Sequence, residues 1–311
     1  MKSRWTPSTV LLAAVAFAFG CSPHQGSAAS ASASLEKHPS VSDKAEPPKR
    51  VTNRPGNKMG RVYIAMYHHI RSGRGPMFRT VKQFRADLEF YYKLGFRPVL
   101  ASEYIANKMP LPPGASPIVM TFDDSNPSQI QLKKDGSVDP KSAVGIWMAF
   151  AKEHPDFPVH GTFFSLPDSM WGNPAQKEQK IKILRDLGSE IGNHTVNHPF
   201  LNRLSDKRVE YELGRCTEML EDLGIEPPDL VAVPYGVYPK NSGLLKGFKF
   251  HGKKITFAGV FRADGPPARS PEDPQFNKLR IPRMTATKGA GTVIDRMKRI
   301  AKGDYPPYVQ P

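Results

Sequence analysis

Two clusters in this chain have the residue types and spacing to do chemistry. The first is Asp123-Asp124, two adjacent carboxylates ending the apolar run Ile118-Val119-Met120-Thr121-Phe122. Carboxylates this close repel unless a cation or a shared proton lies between them. The second follows 70 residues after Asp124, where His194 and His198 stand i, i+4 within Gly192-Asn193-His194-Thr195-Val196-Asn197-His198-Pro199. One carboxylate and two imidazoles form a donor set for a divalent cation with coordination positions left open. The other carboxylate is then free to act as a base. Taken singly, each cluster has a plainer reading. Asp-Asp-Ser-Asn commonly forms a polar turn after a strand, and a lone histidine is more often a surface or core residue. Together, and each directly after a strand, they point to metal-assisted hydrolysis.

The elements that must position these clusters alternate in type. Residues 61–70, 96–100, 117–122, 159–166, 190–193, 230–234, 255–261 and 279–281 read as strands. Helices are expected over 80–95, 102–108, 139–153, 174–187, 205–223 and 292–302. Caps and stops support them: Asp139-Pro140 opens one, Ser205 and Gly224 bracket another, and Gly95 ends a third. Such alternation implies an α/β fold with a parallel sheet wound by helices, open or closed into a barrel. In a barrel the strand-to-loop junctions meet on one rim. Asp123/Asp124, His194/His198 and Pro234-Tyr235 all sit at such junctions. Pro199 disfavours a helical His198, so the histidine pair is expected on a turn.

These motifs resemble those of the NodB-type polysaccharide deacetylases, carbohydrate esterase family four. Thr121-Phe122-Asp123-Asp124 is similar to that family's first motif, and the segment from His194 to Pro199 to its His-Ser/Thr-x-x-His motif. Thr162-Phe163-Phe164 is similar to the strand between them, and the likeness runs from about residue 61 to the terminal helix. Met66-Tyr67-His68-His69 and Leu94-Gly95-Phe96 resemble the branch with an N-terminal Tyr-His strand. The resemblance implies a distorted (β/α) barrel of the NodB-homology type. It further implies a divalent metal, zinc foremost, on Asp124, His194 and His198, with Asp123 as the base acting on metal-bound water. A metal can lower the pKa of such a water from ~15.7 towards ~7. The backbone amide of Tyr235 would be the oxyanion donor. The implied reaction is removal of acetyl groups, above all N-acetyl, from a carbohydrate polymer.

Two family features are missing. Position 232 is Ala, where many relatives carry an arginine that pairs with the base, and no late Leu-x-His motif supplies a general acid. Arg283, in Arg280-Ile281-Pro282-Arg283, is the expected substitute for the first, a less tightly held Asp123 being the alternative. His68 is the candidate for the second, a packed strand-end histidine being its other reading. His251 reads as part of a surface loop.

The 311 residues suit one sizeable domain behind a leader. Residues 1–20 read as an export signal, with Lys2 and Arg4 ahead of an apolar stretch too short to span a membrane. Cys21 directly after Gly20 resembles a bacterial lipoprotein signal, in which the cysteine is lipidated; an ordinary secretory signal is the alternative. Residues 21–58 read as a flexible linker with almost no large apolar side chains, 59–303 as the catalytic domain and 304–311 as a tail. The net charge of +15 favours anionic surroundings, but Lys and Arg are scattered and no basic helix is interleaved with aromatics. No nucleic-acid partner is therefore expected. The expected partner is an acetylated polysaccharide or oligosaccharide. The expected location is the cell envelope, anchored through Cys21, or the periplasm or exterior without that lipid. Cys216 lies on the apolar side of the 205–223 helix and reads as core. Trp147, Trp171 and Tyr238 are candidates either for sugar stacking or for the core. Two rival functions stay open: a catalytically weak carbohydrate-binding module of the same fold, and a hydrolase of a small amide or imide.

Overall fold

Strands covered on both faces must be apolar at nearly every position, and the two that begin the sheet are. The computed structural model, which describes residues 49–311 except residue 288, buries every residue of β1 (Tyr63–Tyr67). Every residue of β3 (Ser116–Phe122) is buried as well, and β2 (Phe96–Val99) pairs along its first half. The sheet continues with β4 (Thr162–Ser165), β5 (Glu190–Asn193), β6 (Leu230–Ala232), β7 (Gly259–Arg262), β8 (Ile281–Pro282) and β9 (Met284–Thr285). Their order is β8-β7-β6-β5-β4-β3-β1-β9, and every pairing along it is parallel. The two end strands are separated in the chain by Arg283 alone. One short segment thus pairs with β7 on one side and β1 on the other, nearly closing the expected α/β barrel.

Helices cover the outside. The helix α1 (Val81–Lys93) starts with a capping box: Thr80 Oγ1 accepts from the Gln83 amide (3.2 Å), and Gln83 Oε1 from the Thr80 amide (3.0 Å). It buries Phe84, Leu88 and Tyr91, and Gly95 turns the chain at φ +74°. Next come α2 (Ala101–Ile105), α3 (Ala143–Glu153), α4 (Lys177–Asp186), α5 (Asp206–Asp222) and α6 (Val293–Lys298). The cap of α3 is Ser142, not Asp139. Asp139 Oδ1 accepts from the Lys141 amide (2.8 Å), making a turn ahead of the helix. Cys216 is fully buried on α5, as its position on the apolar face suggested.

Two boundaries read from composition move. The linker expected over 21–58 falls largely outside the described residues, as do the expected export signal and the expected lipidation at Cys21. Its last part, however, is bound to the domain: Val51 N donates to Pro113 O (2.8 Å), Thr52 Oγ1 to Gly114 O (2.6 Å), and Asn57 pairs with Val309. The 304–311 tail is likewise an integral part, with Tyr308 and Val309 buried and Pro307 bridged to Arg61. Backbone hydrogen bonds hold both segments, and these leave no hydrophobic signature in the sequence. Among the described residues, no helix is long and apolar enough to cross a membrane.

Candidate active site

In the β1–β3 pair Tyr67 lies opposite Phe122, so His68 and Asp123 leave the sheet at the same level. Ser165 of β4 pairs with Asn193, and Asn193 with Val231, which brings His194 and the residues after β6 to that rim. The three junctions singled out in the sequence therefore meet.

Their geometry is that of a cation site. His194 Nδ1 donates to the Ala232 carbonyl (2.7 Å), which leaves Nε2 as the lone-pair nitrogen. Nε2 lies 3.2 Å from Asp124 Oδ1, and His198 Nε2 lies 3.3 Å from the same oxygen. Asp124 Oδ1 and His194 Nε2 are both buried and make no hydrogen bond. Two orphan lone pairs facing one point are costly unless a cation sits there. The three ligand atoms lie within 4.8 Å of one another, and one carboxylate with two imidazoles fits zinc with open positions remaining. His68 Nε2 stands 3.9 Å from Asp124 Oδ2. Burial outweighs the neighbouring carboxylates and lowers the His68 pKa. A second acidic group, Glu89, Glu153 and His154, is already occupied by Arg85, which lies 3.2 Å from Glu89 and 2.5 Å from Glu153.

Asp123 borders the same cluster, its Oδ2 3.9 Å from His194 Nε2, but both its oxygens are held by an arginine. Arg283, fully buried, donates through Nη1 to Oδ1 (2.7 Å) and through Nη2 to Oδ2 (2.6 Å). The same guanidinium is held by Thr121 Oγ1 (3.0 Å) and the Arg262 carbonyl (3.3 Å), and it lies over the Phe164 ring. Burial alone would push the Asp123 pKa up, but Arg283, and after it His194, hold it below the ordinary carboxylate range. Arg283 thus holds Asp123 from the barrel seam, the contact expected of a substitute for the absent motif arginine. Position 232 instead contributes only its carbonyl, to His194.

The backbone around the site is strained. Asp124, Ser125, Thr195, His198 and Tyr235 all have positive φ, between +52° and +70°. Each such residue costs on the order of 1–3 kcal/mol and persists only where surrounding contacts enforce it. The enforcement is visible. Asn193 Oδ1 accepts from the Thr195 amide (2.8 Å), and Thr195 Oγ1 from the His198 amide (3.0 Å). Glu212, buried on α5, accepts from Asn197 N and Nδ2, both at 2.9 Å. Ser125 Oγ accepts from the Leu166 amide (2.9 Å), and Gln129 Nε2 donates to the carbonyls of Asp123 and His68. Sequence reasoning missed Glu212 and Gln129. A carboxylate inside the Val209-Leu213-Cys216 stripe was a signal for the first; nothing in the irregular stretch around Gln129 marked the second.

Tyr235 is 53% exposed as a residue, its ring stacked on Phe200 at 3.9 Å and edge-on to His198 at 4.5 Å. Its amide donates to no protein acceptor among the described residues. Trp147 and Trp171 are fully buried and belong to the core, so neither can stack on a sugar. His251 is exposed and bonded to Glu218 (2.8 Å), as a surface residue should be.

Comparison with known proteins agrees with this geometry. Residues 111–253 match the family described as polysaccharide deacetylase. Over 113 residues the chain is 32% identical to peptidoglycan-N-acetylmuramic acid deacetylase PdaC of Bacillus subtilis (strain 168), covering 36% of this chain and 22% of that protein. The match thus spans only about a fifth of that relative's length. Among solved structures, BC0361, a polysaccharide deacetylase from Bacillus cereus, superposes with a TM-score of 0.57 at 18% identity, over 78% of this chain and 69% of that one. The Streptococcus pyogenes deacetylase PplD, solved in complex with acetate, gives a TM-score of 0.57 at 15% identity, over 80% of this chain and 100% of that one. The resemblance carried by the motifs, and the barrel it implied, are borne out.

Proposed function

We propose that this chain, which shares the fold and sequence signature of polysaccharide deacetylases, hydrolyses acetyl groups from a carbohydrate polymer with a divalent metal, zinc foremost. N-acetyl groups are the first choice. The observation that carries the reading is the division of labour between adjacent carboxylates: Asp124 converges with His194 and His198, while Asp123 is gripped by Arg283.

Asp124, His194 and His198 would hold a divalent cation, which would supply Lewis acidity for the acyl carbonyl and for a water, lowering the pKa of that water towards ~7. Asp123 accepts a proton from the attacking water, and Arg283 keeps its carboxylate ionised and fixed for that step. The Tyr235 amide, in its left-handed turn, donates to the developing oxyanion. His68, beside Asp124, hands a proton to the departing nitrogen. The weak binding-module reading was motivated by the missing arginine and the unplaced general acid, and Arg283 removes the first of these motives. We further propose that the protein is exported and held at the cell envelope, on the strength of the leader pattern and Cys21.

The test is acetate release by the purified chain with zinc or cobalt, from acetylated amino-sugar oligomers and from small amides and imides. Release from oligomers is expected. Binding without release would favour the module, and faster cleavage of a small imide would favour the other hydrolase.

A further inference from the structure

At the barrel seam lies a pocket of about 270 Å³, lined by Arg280, Ile281 and Pro282, the residues directly before Arg283. Arg61, just ahead of β1, lines it as well. The other end of β1 leads to His68, so the pocket and the metal-ligating cluster lie at opposite ends of that strand. Its charge is one-sided: three arginines line it, Arg61, Arg269 and Arg280, and no acidic residue does. Asp273, outside the lining, pairs with Arg269, and its other oxygen accepts from the Gln275 amide (2.9 Å). That neutralises one guanidinium of the three. Among the described residues, the guanidinium of Arg61 makes no hydrogen bond or ion pair, although the residue is half-buried. That of Arg280 only faces the Tyr238 ring, at 4.8 Å. Two guanidinia without a carboxylate around one cavity suit an anion, because their planar forks match phosphate and carboxylate oxygens.

The walls are flat and fixed. Tyr104 is buried and donates its hydroxyl to the Arg269 carbonyl (2.6 Å), and Phe276 packs edge-on against its ring at 5.5 Å. Tyr305 is held through its carbonyl, which accepts from Tyr63 OH (2.9 Å). Such rings favour a flat, apolar body beside the charge. The volume falls just below the ~300–1,000 Å³ of clefts that enclose drug-sized ligands, so the occupant is a small molecule.

We propose that this pocket binds a small organic anion, a phosphate monoester or carboxylate carried on a flat ring. Its charge lies between Arg61 and Arg280, and its ring against Tyr104, Phe276 and Tyr305. Bound there, it ties the start of β1 to the segment that carries Arg283, and so strengthens the seam where the barrel nearly closes.

The experiment is isothermal titration calorimetry of the full chain with phenyl phosphate, benzoate, inorganic phosphate and benzyl alcohol. Each titration is repeated after metal is stripped with EDTA and the chelator dialysed away. Phenyl phosphate or benzoate should fill one site with a Kd below about 1 mM, about tenfold tighter than inorganic phosphate, and the tighter of the two identifies the acid group. Benzyl alcohol, which has the ring without the charge, should not bind. Stripping the metal should leave the affinity unchanged, and the bound anion should raise the unfolding temperature. Arg61→Gln/Arg280→Gln should weaken binding by about tenfold or more. Arg280→Gln alone replaces an exposed side chain and should weaken it by itself, which keeps the test open if the double variant does not fold. Unchanged affinity in folded Arg280→Gln, or benzyl alcohol or inorganic phosphate binding as tightly as the ring anions, overturns the pocket. So does binding that disappears with the metal, because the anion then sits at the cluster.

Discussion

Arg283 holds both carboxylate oxygens of Asp123, at 2.7 and 2.6 Å, from the one residue that separates the two end strands of the barrel. The segment whose backbone nearly closes the sheet therefore also carries the side chain that orients the proposed base. Removing it leaves a buried carboxylate without its partner, which typically costs ~3–5 kcal/mol. Arg283→Met should lose about that much in urea unfolding. Arg283→Lys keeps the charge but not the fork, so it should fold better yet still release acetate more slowly than wild type. A lysine variant with the wild-type rate would show that bidentate orientation is irrelevant.

Metal retention should follow the wiring of the histidine turn. His194→Ala removes a ligand whose tautomer is fixed by Ala232, and it should abolish zinc retention in dialysis. Glu212→Ala leaves all three ligands but frees Asn197, so zinc affinity should fall by about tenfold, a typical outer-shell effect. Chelation of wild type should stop acetate release, and added zinc or cobalt should restore it. Equal zinc affinity in the Glu212 variant would mean that α5 does not support the site.

The proposed acid can be tested through the leaving group. A departing amine needs a proton, whereas 4-nitrophenolate leaves readily without one. His68→Ala should slow N-deacetylation by ~10²–10⁴-fold and affect the aryl ester far less. Equal slowing of both substrates would point to a packing role for His68 instead.

A buried network backs the end of β1, just ahead of His68. Tyr67 OH bonds to Asp87 Oδ2 (3.2 Å) and Tyr91 OH (2.8 Å), and Asp87 also takes Arg79 Nε (2.7 Å). Asp87→Ala strands Arg79 among buried groups and should cost ~3–5 kcal/mol in chemical unfolding. A loss below about 1 kcal/mol, the range of exposed pairs, would contradict the network's role.

The convergence of Asp123, Asp124 and His194 was legible because these residues directly follow apolar strands, with His198 one turn on, and a parallel barrel brings such ends together. Arg283 was legible only as a substitute for something missing. Its contact with Asp123 joins residues 160 positions apart, and no local pattern encodes that. A turn at the histidine pair was legible from Pro199, but its left-handed Thr195 was not, because β-branched residues rarely adopt that backbone and the Asn193 side chain enforces it here. Residues 49–58 and 304–311 were taken for linker and tail because their docking rests largely on backbone hydrogen bonds.

The most direct measurement is zinc content and acetate release of Asp123→Asn beside wild type, both loaded with zinc and given the same N-acetylated oligomer. Asp123→Asn should bind zinc like wild type, since Asp124, His194 and His198 are intact, and release acetate ~10²–10⁴-fold more slowly. Near-normal release from the zinc-loaded variant would contradict the division of labour between Asp123 and Asp124.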